Sequence, residues 1–180
     1  MRMVEIRRHS IAKKGDERTG GAYLSHAGVD LARTVGEAIA RPDLVLASTL
    51  PRALETAVAF GFAVDDQFEV DQSSWGGIGG SEWLSWSEPF VEARALVAKG
   101  GPPAEAAEAC VRVWLEALTR VPDGGRALVV SHGGVIELGL VAAVPDADHA
   151  SWGGMLAECE GAELDHDGTR FTDVRFHRLG

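Results

Sequence analysis

Residues 126–134 read Arg-Ala-Leu-Val-Val-Ser-His-Gly-Gly, and the fold prediction starts from this stretch. The run up to Val130 is almost wholly apolar, which is typical of a strand buried on both faces of a parallel sheet. Ser131 and His132 follow at once, and the glycine pair opens a helix predicted over 133–143. A bulky polar side chain in a tight glycine turn needs a reason, and we expect a functional one.

The same local plan occurs twice more, at residues 6–10 (Ile-Arg-Arg-His-Ser) and 46–52 (Leu-Ala-Ser-Thr-Leu-Pro-Arg). In each case an apolar strand ends, polar residues follow, and a loop or helix begins. If the three strands are parallel, their carboxyl ends lie at one edge of the sheet, where open α/β folds bind ligands. That edge would hold two arginines and two histidines, namely Arg8, Arg52, His9 and His132.

Predicted helices alternate with these strands. An apolar stripe predicts a helix over 25–40 with Ser25 as its N-cap, Pro51 opens a second helix, and the clearest stripe runs over 103–121. The C-terminal part changes character, because two strand-like segments flank a turn at 165–168, which indicates a hairpin.

Strands that alternate with helices and end in a hairpin predict an α/β fold of three layers, α/β/α, with a mostly parallel mixed sheet. No linker, low-complexity tract or internal repeat divides the sequence, and we expect a single domain over residues 1–180. Residues 75–103, with closely spaced glycines and the tryptophans Trp75, Trp83 and Trp86, are the least regular part. We expect this stretch to be an irregular insert.

The composition argues against several classes of function. A net charge of −10 argues against a nucleic-acid partner, because phosphate backbones attract basic surfaces. No apolar run reaches the length of a membrane span and the charged N-terminus lacks a signal-peptide core, so we expect a cytoplasmic protein without a membrane partner. Cys110 and Cys159 lack zinc-site spacing and are interpreted as buried thiols. The oligomeric state stays open, with a homodimer among the alternatives.

The predicted sheet edge has the chemistry of a site for a tetrahedral dianion. Guanidinium groups form paired hydrogen bonds with phosphate oxygens, and amides at a helix start add aligned donors. Arg52 lies in the first turn after Pro51, where the helix dipole is already positive, so an anion would offset this unfavourable cation. A neutral imidazole attacks phosphorus when its other nitrogen is tied to a carbonyl. Each residue alone has an ordinary alternative, a surface cation for Arg8 or a packed histidine for His9.

These residues resemble the motifs of a known family, the histidine phosphatase superfamily with its phosphoglycerate-mutase-like fold. Arg-His-Ser at 8–10 is similar to the family's Arg-His-Gly signature, and Leu-Ser-His-Ala-Gly at 24–28 to the entry of its first helix. Residues 48–57 resemble its S-x-x-x-R-A-x-x-T-A element, and 131–134 its second histidine motif. The motifs occur in family order, and their combination is specific although Arg-His alone is not.

The resemblance implies that His9 is phosphorylated while Arg8, Arg52 and His132 hold the phosphoryl group. Ser10 stands where the family usually has glycine, and its hydroxyl is a further candidate donor to phosphate. No carboxylate cluster suited to magnesium accompanies these residues, so we expect neither a metal nor a cofactor.

The general acid departs from the family pattern. Many members have a glutamate a few residues before an aromatic–glycine pair, which here would be residues 75–76, but Gln72 stands in the expected place. We favour Glu82, with Asp71 as its rival, and a solvated loop carboxylate is the ordinary alternative for Glu82. Some short members have no acid here and act on good leaving groups such as phosphohistidine. In this family, the insert at 75–103 would lie over the pocket.

Together these observations predict a metal-independent phosphatase that hydrolyses a small phosphorylated metabolite, a phosphomonoester, through a phosphohistidine on His9. A phosphoglycerate-type mutase is one alternative, although the chain is short for it. A protein phosphohistidine phosphatase is another, favoured if the acid is absent. The alternative from a different class is a non-catalytic module that binds a phosphorylated ligand, which the unusual Ser10 and the unassigned acid motivate.

Overall fold

The structure is a computed structural model that describes residues 1–13, 22–70 and 87–180. Within these residues, helices and strands alternate along the chain and the last two strands form a hairpin, as predicted. The strands are β1 (Arg2–Arg8), β2 (Leu44–Ser48), β3 (Asp66–Phe68), β4 (Arg126–Ser131), β5 (Gly161–His166) and β6 (Phe171–His177). The helices are α1 (His26–Gly36), α2 (Pro51–Ala59), α3 (Pro89–Lys99), α4 (Pro102–Thr119) and α5 (Val135–Ala143), with a 3-10 turn at His149–Trp152.

The strands of the described part form one mixed sheet in the order β3-β2-β4-β1-β5-β6. The pairs β3–β2, β2–β4 and β4–β1 are parallel, whereas β1–β5 and β5–β6 are antiparallel. The predicted three-layer α/β fold with a mostly parallel mixed sheet is therefore confirmed. Because β1, β2 and β4 run in the same direction, their polar carboxyl ends lie at one edge of the sheet.

Side-chain alternation along the central strands builds two cores. Val4 and Ile6 of β1 pack on one face with the apolar sides of α3, α4 and α5. Leu128 and Val130 of β4 pack on the opposite face with α1 and α2. Helices thus cover β4 on both faces, which explains the nearly continuous apolar run in its sequence.

Helix α1 approaches the loop after β1 so closely that only glycine fits at residue 28. Ser25 caps this helix, as predicted, by accepting a hydrogen bond of 3.0 Å from the N–H of Gly28. A Cβ atom on Gly28 would lie 2.1 Å from the carbonyl oxygen of Ile11. This contact holds the start of α1 against the segment that follows His9.

The structure differs from the prediction in the irregular insert. Residues 89–99 form helix α3, whose Phe90 and Ala93 are buried in the core shared with α4 and α5. The apolar side chains of this helix do not concentrate on one side, so its sequence lacks a periodic signal. The rest of the predicted insert up to residue 86 lies outside the described residues.

Two further features concern the strands. Strand β3 is three residues long, lies at the edge of the sheet and pairs with β2 alone. Strand β5 of the hairpin begins at Gly161, and Cys159 before it adopts a positive φ of 63°. None of the helices in the described ranges combines the length and apolar character that crossing a lipid bilayer requires.

Candidate active site

His9 follows β1 directly, and hydrogen bonds fix its tautomer. Its backbone N–H donates to the carbonyl of Ser131 at 2.9 Å, which joins the ends of β1 and β4. Its Nδ1 lies 2.7 Å from the carbonyl oxygen of Ser10, an acceptor, so Nδ1 carries the proton. Arg52 Nε donates to His9 Nε2 at 3.1 Å, which requires a lone pair on Nε2. The imidazole is therefore neutral, with its reactive lone pair facing a guanidinium.

Burial keeps this imidazole neutral. Removal from water lowers the pKa of His9 from 6.5 to about 4, and the charges of Arg52 and Arg8 act in the same direction. The hydrogen bond to the Ser10 carbonyl opposes these effects without cancelling them. A neutral imidazole is the form that attacks an electrophile, so His9 is a competent nucleophile at physiological pH.

Arg52 lies in the first turn of α2, directly after Pro51, as predicted. Burial and the neighbouring charge of Arg8 lower the pKa of Arg52. Two guanidinium groups and the positive end of a helix dipole thus repel one another at this site, and a bound dianion would relieve the repulsion. The position of Arg52 is secured from behind, because Thr56 Oγ1 donates to its carbonyl oxygen at 2.7 Å.

Arg8 reaches the site from the last residue of β1. Its Nη1 donates to the carbonyl of Leu156 at 2.6 Å, and its Nη2 lies 3.3 Å from the carboxylate of Glu158. Its Nε is buried and has no hydrogen-bond partner among the described residues. Gly133 packs on the guanidinium, since a Cβ atom there would lie 3.1 Å from Arg8 Nε. Arg8 is thus held between the turn after β4 and the segment before β5.

His132 completes the group at the end of β4. The centroids of the His132 and His9 rings are 5.1 Å apart, and His132 Nε2 lies 2.7 Å from the buried hydroxyl of Ser48 at the end of β2. Burial holds the pKa of His132 well below its usual value, and the charges of Arg52 and Arg8 act in the same direction. The structure therefore brings His9, Arg52 and His132 together at the predicted sheet edge, with Arg8 beside them.

Ser10 is bound on both its side chain and its backbone to neighbouring elements. Its side chain is fully buried, and its Oγ donates to the carbonyl of Gly28 at 2.7 Å. Its backbone N–H donates to Thr56 Oγ1 at 2.9 Å. The Ser10 hydroxyl thus donates within the protein, and its role as a donor to phosphate stays a prediction. These contacts join the loop of His9 to α1 and α2.

The two candidate general acids, Glu82 and Asp71, lie outside the described residues, and their roles stay predictions. A cavity of about 250 Å³ opens beside the His132 turn, between the end of β3, α4 and the start of α5. Ser131 and Val135 line its inner wall. The cavity gives space next to the strand end that carries His132.

One group of side chains in the described part has metal-ligand geometry. Ligand atoms of Glu5, Glu163 and His177 lie within 4.8 Å of one another, on the half of the sheet formed by β1, β5 and β6. Arg7 and Arg126 donate to Glu5, and Arg126 and Arg175 donate to Glu163. A cation would have to displace these guanidinium groups, so the cluster is better described as an ion-pair network.

Several residues that support the site carry a weak signal or none in the sequence. Ser48 and Thr56 belong to the quoted motif, but their partners His132 and Ser10 follow only from the folded structure. Glu137 is the one charged residue of the otherwise apolar helix α5, and that contrast alone could have singled it out. Leu156 binds Arg8 through its backbone carbonyl, so the identity of its side chain does not indicate this contact in the sequence.

Comparisons with known proteins agree with this geometry. A sequence model of the histidine phosphatase superfamily (branch 1) matches residues 8–177. No curated protein is similar enough in sequence to match the chain. Among solved structures, phosphoserine phosphatase from Entamoeba histolytica in complex with 3-phosphoglyceric acid is similar with a TM-score of 0.64 and 14% identity, covering 99% of this chain and 98% of that one.

Two further structures show the same fold. The putative phosphohistidine phosphatase SixA from Agrobacterium tumefaciens is similar with a TM-score of 0.59 and 21% identity, covering 98% of this chain and 97% of that one. A mycobacterial glucosyl-3-phosphoglycerate phosphatase is similar with a TM-score of 0.53 and 20% identity, covering 97% of this chain and 96% of that one. At these identities the likeness shows the phosphoglycerate-mutase-like fold alone.

Proposed function

The chain belongs to the histidine phosphatase superfamily, and from this membership we propose that it is a phosphatase that hydrolyses a small phosphomonoester through a phosphohistidine on His9. One observation carries the proposal: His9 Nε2 bears a lone pair in a neutral imidazole, 3.1 Å from the guanidinium of Arg52. A nucleophile beside a fixed positive charge suits attack on a phosphate dianion.

Substrate binding would exchange partners at this site. Phosphate oxygens would take the Arg52 donor that now points to His9 Nε2, which would release the lone pair for attack. Arg8 and His132 would hold the other oxygens. Transferring phosphoryl groups carry dispersed negative charge in a loose transition state, so positioned cations supply most of the stabilisation.

The reaction would proceed in two displacements. In the first, the Nε2 lone pair forms a P–N bond while the bond from phosphorus to the leaving oxygen breaks, and that oxygen takes a proton from a carboxylic acid. Glu82 is our candidate for this acid and Asp71 its rival. Positive charge develops on the imidazole, and the Ser10 carbonyl, which accepts a hydrogen bond from Nδ1–H with an N···O distance of 2.7 Å, would stabilise it.

In the second displacement, a water oxygen forms a bond to phosphorus while the P–N bond breaks. The electron pair returns to His9 Nε2, and the carboxylate that gave its proton takes one from the water. Phosphate leaves and the starting state is restored. None of these steps calls for a metal, and we propose metal-independent turnover.

Two of the similar structures favour a small substrate. One is a phosphoserine phosphatase and the other a glucosyl-3-phosphoglycerate phosphatase, and both substrates are small phosphorylated metabolites. This supports a phosphorylated metabolite as the substrate class.

The decisive test replaces the nucleophile. In His9→Ala, we expect turnover of an activated aryl phosphate to fall by about 10³-fold or more, because the group that forms the P–N bond is removed. Wild-type enzyme quenched during turnover should carry acid-labile, base-stable phosphate, and a chelator should leave the rate unchanged. His26→Ala, at an exposed histidine at the start of α1, is the matched control. Normal turnover in His9→Ala would overturn the proposal.

A protein phosphohistidine phosphatase is the second candidate. The similarity to the putative phosphohistidine phosphatase supports it, since phosphohistidine leaves without help from a strong acid. Glu82→Gln separates the two candidates: a large loss with alkyl phosphates favours the monoesterase, whereas unchanged dephosphorylation of a phosphohistidine protein favours the second. Isomerisation of a phosphoglycerate without phosphate release would indicate a mutase. Tight vanadate binding without any hydrolysis would indicate a non-catalytic binding module.

A further inference from the structure

Glu137 is a fully buried carboxylate that the proposed reaction does not use. Its Oε2 accepts a hydrogen bond of 2.6 Å from the N–H of Gly134, and its Oε1 accepts one of 3.0 Å from the N–H of Leu156. Gly134 belongs to the turn that follows His132, and Leu156 to the segment before β5. One carboxylate thus joins two segments that are distant in the sequence.

The side chain of Arg8 lies between these two segments and contacts both. On one side, Gly133 packs on the guanidinium, with its Cβ position 3.1 Å from Arg8 Nε. On the other side, the Leu156 carbonyl accepts a hydrogen bond of 2.6 Å from Arg8 Nη1. Leu156 therefore gives its N–H to Glu137 and its carbonyl to Arg8, so a shift of Leu156 would move both contacts together.

An ordinary helix cap explains only half of this arrangement. A glutamate at the third position of a helix often accepts a hydrogen bond from the backbone N–H of the N-cap residue, just before the helix. The hydrogen bond from the N–H of Gly134 to Glu137 has this form. The second oxygen, Oε1, makes its hydrogen bond outside the helix. It accepts from the N–H of Leu156, 19 residues further along the chain. Burial of a carboxylate costs free energy, and burial raises the pKa of Glu137. A cap on the protein surface would avoid that cost.

We propose that Glu137 is a positioning residue that fixes Arg8 and the His132 turn in one geometry for phosphoryl transfer. The inference rests on the proposed function, because it takes Arg8 as a ligand of the phosphoryl group. Glu137 is not exposed to solvent and acts through the two segments rather than by touching substrate.

Glu137→Gln tests the proposal with little change of shape. A glutamine side chain has one acceptor oxygen and one NH₂ donor. It can accept from the N–H of Gly134 or of Leu156 but not from both, so one of the two segments loses its hydrogen bond to residue 137. We expect kcat/KM for an aryl phosphate to fall about 10- to 100-fold, since a small misplacement of a charged ligand costs that much. Orthovanadate should also bind more weakly. Rates are normalised to the folded fraction, measured by circular dichroism well below the melting temperature.

Glu163→Gln is the matched control. Glu163 is also a buried carboxylate, but its partners are Arg126 and Arg175, which lie away from the site. We expect it to lower the melting temperature while kcat/KM of the folded protein stays within about twofold of wild type. If Glu137→Gln folds poorly, Glu137→Asp replaces it: the shorter carboxylate retains an acceptor for Gly134 and withdraws from Leu156.

A double-mutant cycle with Arg8→Ala separates positioning from general support of the fold. If Glu137 acts through Arg8, the loss in the double variant falls well short of the product of the two single losses, in both kcat/KM and vanadate affinity. Independent losses that multiply, or a Glu137→Gln enzyme equal to wild type, would overturn the inference. The vanadate measurements remain informative even if His9→Ala disproves the phosphohistidine, so the two proposals fail separately.

Discussion

At the scale of single residues, the environment of His9 determines which of its nitrogens can react. The Ser10 carbonyl accepts a hydrogen bond from Nδ1–H and Arg52 donates to the Nε2 lone pair, so the ring already has the tautomer that the proposed reaction needs. The ring is also largely withdrawn from solvent, and this burial keeps it neutral. Reactivity and a cost in stability at low pH therefore have one cause.

The lowered pKa of His9 predicts a pH dependence of stability. The folded pKa is about 4 and the unfolded value about 6.5, so between them the unfolded chain binds more protons and stability falls as pH falls. Between pH 7 and pH 5, we expect the contribution of His9 to the loss of unfolding free energy to be on the order of 2 kcal/mol. In His9→Gln, urea denaturation should show a smaller loss over this interval.

The control for that experiment is His26→Gln, which removes an exposed histidine from the start of α1. A difference in unfolding free energy between wild type and His9→Gln that is the same at pH 7 and pH 5 would contradict the prediction. NMR titration of the His9 ring in the free enzyme gives an independent value for its pKa.

At the scale of elements, the contact of α1 with the loop after β1 links the fold to the site. Gly28 lies against the Ile11 carbonyl, and its own carbonyl accepts the Ser10 hydroxyl. The backbone carbonyl of Ser10 in turn accepts the hydrogen bond from Nδ1–H of His9, which fixes the orientation of that ring. A helix position thus controls the orientation of His9, which lies outside the helix.

Gly28→Ala should therefore affect both stability and activity. Its Cβ would lie 2.1 Å from a backbone oxygen, which cannot move as freely as a side chain. We expect a loss of roughly 1–3 kcal/mol in unfolding free energy, because the strain exceeds the gain in helix propensity. We also expect kcat/KM to fall, since Ser10 shifts. Asp30→Ala, exposed on the same helix, is the control, and a Gly28→Ala protein as stable and active as wild type would refute the close contact.

At the scale of the whole molecule, the two halves of the sheet are stabilised differently. On the face covered by α1 and α2, strands β2 and β4 contribute apolar side chains. On the other half, β1, β5 and β6 together with the start of β4 contribute charged side chains that form one ion-pair network of Glu5, Arg7, Arg126, Glu163 and Arg175, buried at Glu5, Arg7 and Glu163. The homodimer, the cytoplasmic location and the absence of a nucleic-acid partner stay predictions at this scale.

The buried ion pair of Glu5 and Arg7 within this network predicts an asymmetry between single and paired substitutions. The side chains of Glu5 and Arg7 are only 2% and 6% exposed, so Glu5→Ala leaves the guanidinium buried without its partner. We expect a loss of about 3–5 kcal/mol in unfolding free energy, measured by urea denaturation. The pair Glu5→Leu with Arg7→Met should lose much less, because no unpaired charge remains. Equal losses in the two variants would contradict this explanation.

Much of the fold could be predicted because its signals are local. The buried run before Ser131, Ser25 as the N-cap and Pro51 as a helix start each depend on neighbouring residues, and the structure confirms them. Helix α3 lacked such a signal, since its core-facing side is defined by α4 and α5 rather than by its own periodicity.

The sequence by itself determined the order of strands and helices, and with it the sheet edge at which His9, Arg52 and His132 meet, because parallel strands bring their carboxyl ends together. Only the tertiary structure decided what holds these residues. The Leu156 carbonyl binds Arg8 across 148 positions, and Ser48 meets His132 across 84. Such partners are chosen by how loops pack in three dimensions, and no spacing along the chain encodes that choice.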